Sequence, residues 1–292
     1  MTGQTGIVDA HQHVWDLAAM NQPWLRLPGN EPLLRTFSEA DLRPQAAAAA
    51  VTATVVVQTV TEPAETPELL ALAAASDLVA GVVGWVDLQA DSVVDALAAL
   101  LERADGGFLR GIRHPVLIET DSRWLVRQAV LRGLAAVGDA GLCYDLVLAP
   151  EVLPAAVAAA RACPGVMFVL DHLGNPRFDP ALGPAPDPDW DRNVRQLAAL
   201  PNAVCKLSGM LAEPPPGRQA GHGVAHLRPY YDTVLNAFGP DRLMFGSDWP
   251  VCTLSASYAS VVAAARELTA DLSAAERAAV LSGTARQVYR LG

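Results

Sequence analysis

Asp9-Ala10-His11-Gln12-His13 places two imidazoles two residues apart at the end of an apolar, β-branched run. In an extended strand that spacing puts both side chains on one side. There they can grip one divalent ion or one polarised oxygen. The pattern is common by itself, but three further stretches join it. Leu170-Asp171-His172-Leu173-Gly174, Gly246-Ser247-Asp248-Trp249-Pro250 and Gly111-Ile112-Arg113-His114-Pro115 each close another apolar run. Three of the six histidines (His11, His13 and His172) and the carboxylate of Asp248 are thereby candidates for one site. A carboxylate beside imidazoles suits hydrolysis. The carboxylate deprotonates a water, and the imidazoles, alone or through one metal ion, stabilise the oxyanion that forms.

For these residues to meet, the runs that carry them must lie side by side. Eight such runs recur along the chain: Ile7–Val14, Ala53–Thr59, Ala80–Val86, Phe108–Arg113, Leu142–Val147, Val166–His172, Ala203–Ser208 and Leu243–Ser247. Their near-continuous apolarity fits strands buried on both faces, as in a parallel sheet. Helical patterns separate them. Ser38-Glu39-Ala40-Asp41 and Ser273-Ala274-Ala275-Glu276 read as capping boxes, and Thr66-Pro67-Glu68 as a helix start. A helix pattern runs from Asp91 through Leu101, and Gly141 stands where a left-handed cap is wanted. Eight β-then-α units without a shift in composition predict an α/β fold, a closed (β/α)₈ (TIM) barrel formed as a single domain over residues 1–292. The long loops after the first, sixth and seventh strands, rich in proline at Pro184, Pro186, Pro188 and Pro214-Pro215-Pro216, fall on the catalytic face of such a barrel.

The remaining polar residues of the rim divide between substrate and structure. Arg113 and His114 suit substrate hydroxyls or a carboxylate, or else a salt bridge inside the barrel. Tyr144 can donate to the substrate or pack in the core. Lys206, inside a buried strand, requires a partner, either a barrel carboxylate or the substrate. Trp24, Trp85 and Trp249 offer sugar-stacking faces or packing. Arg177, His222 and His226 sit in the long loops, and Cys143, Cys163, Cys205 and Cys252 read as packing residues.

Composition narrows the class. Half of the 292 residues are hydrophobic (51%), enough for a large core, and the formal charge is −10 with no Lys/Arg run. A phosphate-backbone binder is therefore not expected, nor is a membrane partner. Four scattered cysteines without a Cys-x-x-Cys pair indicate a reducing compartment. Met1–Gly6 lacks the basic start and apolar stretch of a signal peptide, so a cytoplasmic location is expected. Nothing in the sequence separates a monomer from a homodimer.

With these residues assembled, the chain resembles the amidohydrolase superfamily, through His11-x-His13, His172 and Asp248. Within it, the branch of sugar-acid lactonases is the nearest likeness. That branch includes fuconolactone and rhamnonolactone hydrolases and 2-pyrone-4,6-dicarboxylate lactonase. Val82-Val83-Gly84-Trp85-Val86-Asp87, Gly111-Ile112-Arg113-His114, Tyr144-Asp145-Leu146, Cys205-Lys206-Leu207-Ser208-Gly209 and Met244-Phe245-Gly246-Ser247-Asp248-Trp249-Pro250 carry it, from Ile7 to about Leu291. The resemblance implies a hydrolase that opens the lactone ring of a sugar acid, with Asp248 as general base. A metal-dependent decarboxylase of the same superfamily is the alternative. Binuclear members carry a carboxylated lysine after the fourth strand and a histidine after the fifth. Arg113-His114 and Tyr144-Asp145 stand there, which argues against a second metal. One divalent ion, zinc by the imidazole content, fits His11, His13, His172 and Asp248, while some lactonases of the branch work without metal.

Overall fold

The computed structural model describes residues 6–177, 185–209 and 224–292. Pro184, Pro214-Pro215-Pro216 and His222 lie outside the described residues. All eight anticipated strands form: β1 (Ile7–Gln12), β2 (Val51–Val57), β3 (Val79–Gly84), β4 (Leu109–Pro115), β5 (Cys143–Val147), β6 (Met167–Leu170), β7 (Ala203–Leu207) and β8 (Leu243–Phe245). They pair in parallel in the order β1-β2-β3-β4-β5-β6-β7-β8, with helices between them, as a (β/α)₈ barrel requires. The ring closes at its rim. His13 N donates to Trp249 O at 2.7 Å and Asp248 N to His11 O at 2.8 Å.

Alternation sorts the strand residues into two layers. Val8, Ala10, Val55, Val57, Val83, Val169, Val204 and Met244 fill the barrel interior. Val56, Ile112, Tyr144, Leu146, Phe168, Leu170 and Leu207 pack outward on the helices. β1 departs from strict alternation. Its pairing to β2 advances three residues from Asp9 to Gln12 against two from Thr54 to Val56, which is a β-bulge. Consequently Asp9 faces the helix α8 (Tyr258–Leu268), where the Tyr258 hydroxyl donates to it at 3.0 Å, while His11 turns into the barrel.

The floor of the barrel is closed by the chain's own end. After α9 (Ala274–Ala278) and a π-helical turn comes α10 (Thr284–Val288), and Tyr289 and Leu291 pack among the interior valines. The loop after β1 is a packed shoulder: Leu25 and Leu33 are fully buried and the Trp15 indole donates to Arg35 O at 2.7 Å.

The capping boxes at Ser38 and Ser273 both form, and Gly141 has φ +68°. Thr66 differs from expectation, because α2 (Glu65–Ala75) begins one residue before it. The Thr66 hydroxyl is committed instead to the Trp85 backbone, accepting from its N–H at 2.8 Å and donating to its carbonyl at 3.1 Å.

Candidate active site

Polar inward residues at the C-terminal ends of β1 and β4 to β8 form one cluster. The Nε2 atoms of His11 and His13 stand 3.2 Å apart. Asp248 Oδ1 lies 3.4 Å from His13 Nε2 and 3.6 Å from His11 Nε2. His13 Nδ1–H donates to Val57 O at 2.7 Å, which leaves its Nε2 with a lone pair directed at the cluster. His172 Nδ1 pairs with Ser208 Oγ at 2.9 Å, so its Nε2 is likewise the free nitrogen.

Two of these groups sit on costly backbone. His172 and Asp248 have φ of +54° and +60°, a left-handed region that L-residues rarely occupy and that clusters at functional sites. Close approach explains two glycines. A Cβ on Gly246 would stand 2.7 Å from His11 Cβ, and one on Gly209, at φ +64°, would stand 2.8 Å from His172 Nδ1.

Below these groups lies a layer of full charges. Lys206 Nζ reaches Asp145 Oδ2 at 2.5 Å, Asp171 Oδ1 at 3.1 Å and His11 Nδ1 at 3.2 Å. The Tyr289 hydroxyl donates to Asp145 from the floor, at 2.8 and 2.9 Å from its two oxygens. Lys206, Asp145 and Asp171 are completely buried, and a buried charge persists only when paired in this way. Arg113 donates to the Gln58 carbonyl and to Gln58 Oε1 (3.0 Å), and its Nη1 is 3.4 Å from both Asp171 Oδ2 and His11 Nε2.

Electrostatics follow from burial and these partners. Burial holds the His11 imidazole well below its ordinary range, Asp171 opposing and Lys206 adding to the effect. Burial lowers His13 too, against its hydrogen bond to Asp248. Burial by itself raises Asp248, yet His172, His13 and His11 outweigh it and bring the carboxyl down to about 2. In the same manner Lys206 and His11 overcome burial at Asp171 and hold it well below the carboxylate range. The outcome at neutral pH is two neutral rings, His11 and His13, facing an ionised Asp248.

These residues fit a metal ion. One ligand atom from each of His11, His172 and Asp248 lies within 4.8 Å of the others, and His13 touches two of the three. Imidazole nitrogens beside a carboxylate make the donor set that zinc prefers.

The other anticipated site residues are placed differently. Lys206 meets barrel carboxylates. His114 and Tyr144 do not share the cluster: each lies one residue beyond or before an inward side chain and therefore faces out. The His114 ring stacks on Trp124 at 4.2 Å; its Nδ1 accepts from the Trp85 indole at 3.1 Å and its Nε2 meets Glu119 at 2.9 Å. Both nitrogens are thus occupied. Tyr144 packs edge-on against Phe168 in the outer layer. Trp249 is buried, and half-buried Trp24 stands at the end of an aromatic row (Trp24, Trp15, Phe37, Trp249) with centroids 5.2 to 5.5 Å apart. Arg177 pairs with Glu151 at 2.6 Å, and all four cysteines are buried and unpaired.

Several residues of the cluster were not singled out from the sequence. Asp145, Asp171, Gln58, Ser208 and Tyr289 are the main ones, with Asp9, which accepts from Ser247 N at 2.8 Å and ties β1 to β8. A signal existed for Asp145 and Asp171: carboxylates in buried strands, in phase with Lys206, must answer one another's charge.

Comparison with known proteins agrees with this geometry. The family model described as Amidohydrolase matches residues 8–291. A curated L-fucono-1,5-lactonase of Burkholderia multivorans is 39% identical over 97% of this chain and 96% of its own length. Another L-fucono-1,5-lactonase, from Burkholderia ambifaria, is 34% identical over 97% of this chain and 95% of its own. The crystal structure of an amidohydrolase from Burkholderia multivorans with bound zinc superposes with a TM-score of 0.88 at 38% identity, covering 99% of this chain and 100% of that one. The cluster of His11, His13, His172 and Asp248 at the barrel mouth is thus set in a chain that belongs to the amidohydrolase family.

Proposed function

We propose that the protein is a hydrolase that opens the ring of a sugar-acid lactone, the fuconolactones being the first substrates to consider. The observation that carries this reading is Asp248 Oδ1 held 3.4 and 3.6 Å from the Nε2 atoms of two neutral histidines. An ionised base and polarising groups then surround one small space at the mouth. Asp248 takes a proton from the attacking water as the water oxygen bonds to the lactone carbonyl carbon. An imidazole that presents an N–H to the mouth, as His11 or His172 can, stabilises the negative charge that develops on the carbonyl oxygen. When the ring C–O bond breaks, the proton on Asp248 passes to the leaving ring oxygen, giving the open hydroxy acid.

Zinc, when bound by His11, His172 and Asp248, would supply Lewis-acid polarisation of the carbonyl. Arg113, whose Nη1 stands 3.4 Å from His11 Nε2, orients the lactone, and half-buried Trp24 offers it a stacking face. The whole chain serves this one site as a single domain. No helix among the described residues is long and apolar enough to cross a membrane. The four scattered, unpaired cysteines support a reducing, cytoplasmic location. The decarboxylase alternative would use the same histidines and aspartate, but two relatives aligned over nearly the whole chain bear lactonase names.

A panel of aldonolactones followed by acid release, with and without chelation and zinc add-back, tests the reading. Acid release well above the spontaneous rate on one lactone is expected. Silence across the metal-loaded panel, with carbon dioxide released from an unsaturated acid, would contradict it.

A further inference from the structure

Among the buried groups the mechanism does not use, Gln58 has the most consequence, because it wraps around Arg113. It follows β2 directly and is completely buried, and its N–H donates to Val83 O at 2.8 Å. A guanidinium carries five N–H hydrogens, and a free edge of that fork grips a carboxylate bidentately. We infer that Gln58 is a positioning residue that sets specificity. By occupying the hydrogens of Arg113 it leaves that cation one donor for the substrate, which suits a hydroxyl or carbonyl of an uncharged lactone and not a carboxylate. The inference rests on the lactonase reading for its kinetic consequence, and on the hydrogen bonds alone for the hold on Arg113.

Hydrogen by hydrogen, Arg113 is nearly spent. Its Nε and Nη2 share Gln58 Oε1 at 3.3 and 3.0 Å, which fills one edge of the fork, and Nη2 donates also to the Gln58 carbonyl. Nη1 is 3.4 Å from Asp171 Oδ2, so the charge has its counter-charge as well. What is left is the second Nη1 hydrogen, on the side of His11 Nε2, which is 3.4 Å away in the cluster. The Gln58 amide cannot be turned round, because its NH₂ would then face the donors of Arg113. As placed, Gln58 Nε2 donates to Val60 O at 3.3 Å and to the carbonyl of Arg113 itself at 3.4 Å. Every valence of the amide is thus committed.

The segment that carries Gln58 is itself tied down. Glu65, buried at the start of α2, accepts from Thr59 N at 2.8 Å, from Val60 N at 3.1 Å and from the Thr59 hydroxyl. Among the described residues, the other cations of this face are engaged too. Lys206 is closed in by Asp145 and Asp171, and Arg177 pairs with Glu151 at 2.6 Å. A carboxylate added to the substrate would therefore meet the ionised Asp248 with no free guanidinium edge to answer it.

The test uses a matched pair of lactones, one with a hydroxymethyl group where the other has a carboxylate, assayed with wild type and Gln58→Met. Wild type is expected to favour the uncharged lactone by about tenfold or more in kcat/KM. Preference for the carboxylated one overturns the inference. Gln58→Met keeps the bulk and removes the acceptors; it is expected to lose about tenfold on the uncharged lactone and to narrow the preference. A merely structural role would lower both substrates equally, so an unchanged ratio also overturns the inference. The hold itself is read without activity, in NMR spectra of ¹⁵N-arginine-labelled protein with Arg113 assigned by its loss in Arg113→Lys. Wild type is expected to give separate Nη1 and Nη2 signals that merge in Gln58→Met; merged signals in wild type overturn the inference. Where Gln58→Met does not fold, wild-type selectivity and the wild-type spectrum decide. Should the wild type open no lactone at all, the functional reading fails while the spectra still decide the hold on Arg113.

Discussion

The β1–β8 seam and the β5–β7 wall of the barrel use buried polar groups in opposite ways. At the seam, the imidazoles of His11 and His13 are neutral, and the ionised Asp248 meets them on left-handed backbone beside the mouth. In the wall, Lys206, Asp145 and Asp171 are completely buried and paired at 2.5 to 3.1 Å, the Lys206 ammonium opposing the burial that raises Asp145 to about 6. Seam groups keep unused valences, such as His172 Nε2, and pay for their placement in backbone strain. Wall groups have their charges matched internally. Reactivity therefore sits where valences are left open, and the saturated charges hold it in register.

That contrast can be broken from the wall side first. Replacing Lys206 by Met leaves two buried carboxylates without their counter-charge, and stability should fall by about 3–5 kcal/mol in chemical denaturation. A loss below about 1 kcal/mol would mean that the wall is not electrostatically closed. On the seam, burial pushes Asp9 up to about 6 from an ordinary 3.8. The folded chain then holds a proton that the unfolded chain releases. The stability contributed by that group is complete below about 4 and is lost as the pH rises through about 6. Asp9→Asn cannot lose it, so the variant should gain stability relative to wild type between pH 4 and 7 in urea titrations; a constant difference would remove Asp9 from that role. The smallest effect is predicted for Tyr144→Phe, outside both regions. With the ring packed on Phe168 in the outer layer, stability should change by less than about 1 kcal/mol and turnover should stay the same. A tenfold drop in turnover would return Tyr144 to the substrate.

The barrel was legible because strands buried on both faces need unbroken apolar runs, and all eight runs from Ile7 to Ser247 carry that mark. His11, His13, His172 and Asp248 were legible because they end those runs, where a barrel collects its polar groups. Period-two alternation had further content: it turns His114 away from Arg113 and Tyr144 away from Asp145. The same rule fails at β1, where the bulge between Asp9 and Gln12 lets both Ala10 and His11 face inward. No local pattern signals Tyr289, which comes to Asp145 from 144 residues away in sequence, through the packing of the last helix against the floor. Loop behaviour was the least readable, since nothing in the polar, proline-containing loop after β1 signals that Leu25 and Leu33 are fully buried.

Turnover of Asp248→Asn on a lactone that the wild type opens is the most direct test of the central claim, that Asp248 is the base. The amide keeps the shape and the hydrogen-bonding reach of the carboxylate but cannot take the water proton. The account predicts a fall in kcat of at least ~10²-fold, with the protein still folded. Undiminished turnover would contradict it and assign the proton to another group at the mouth.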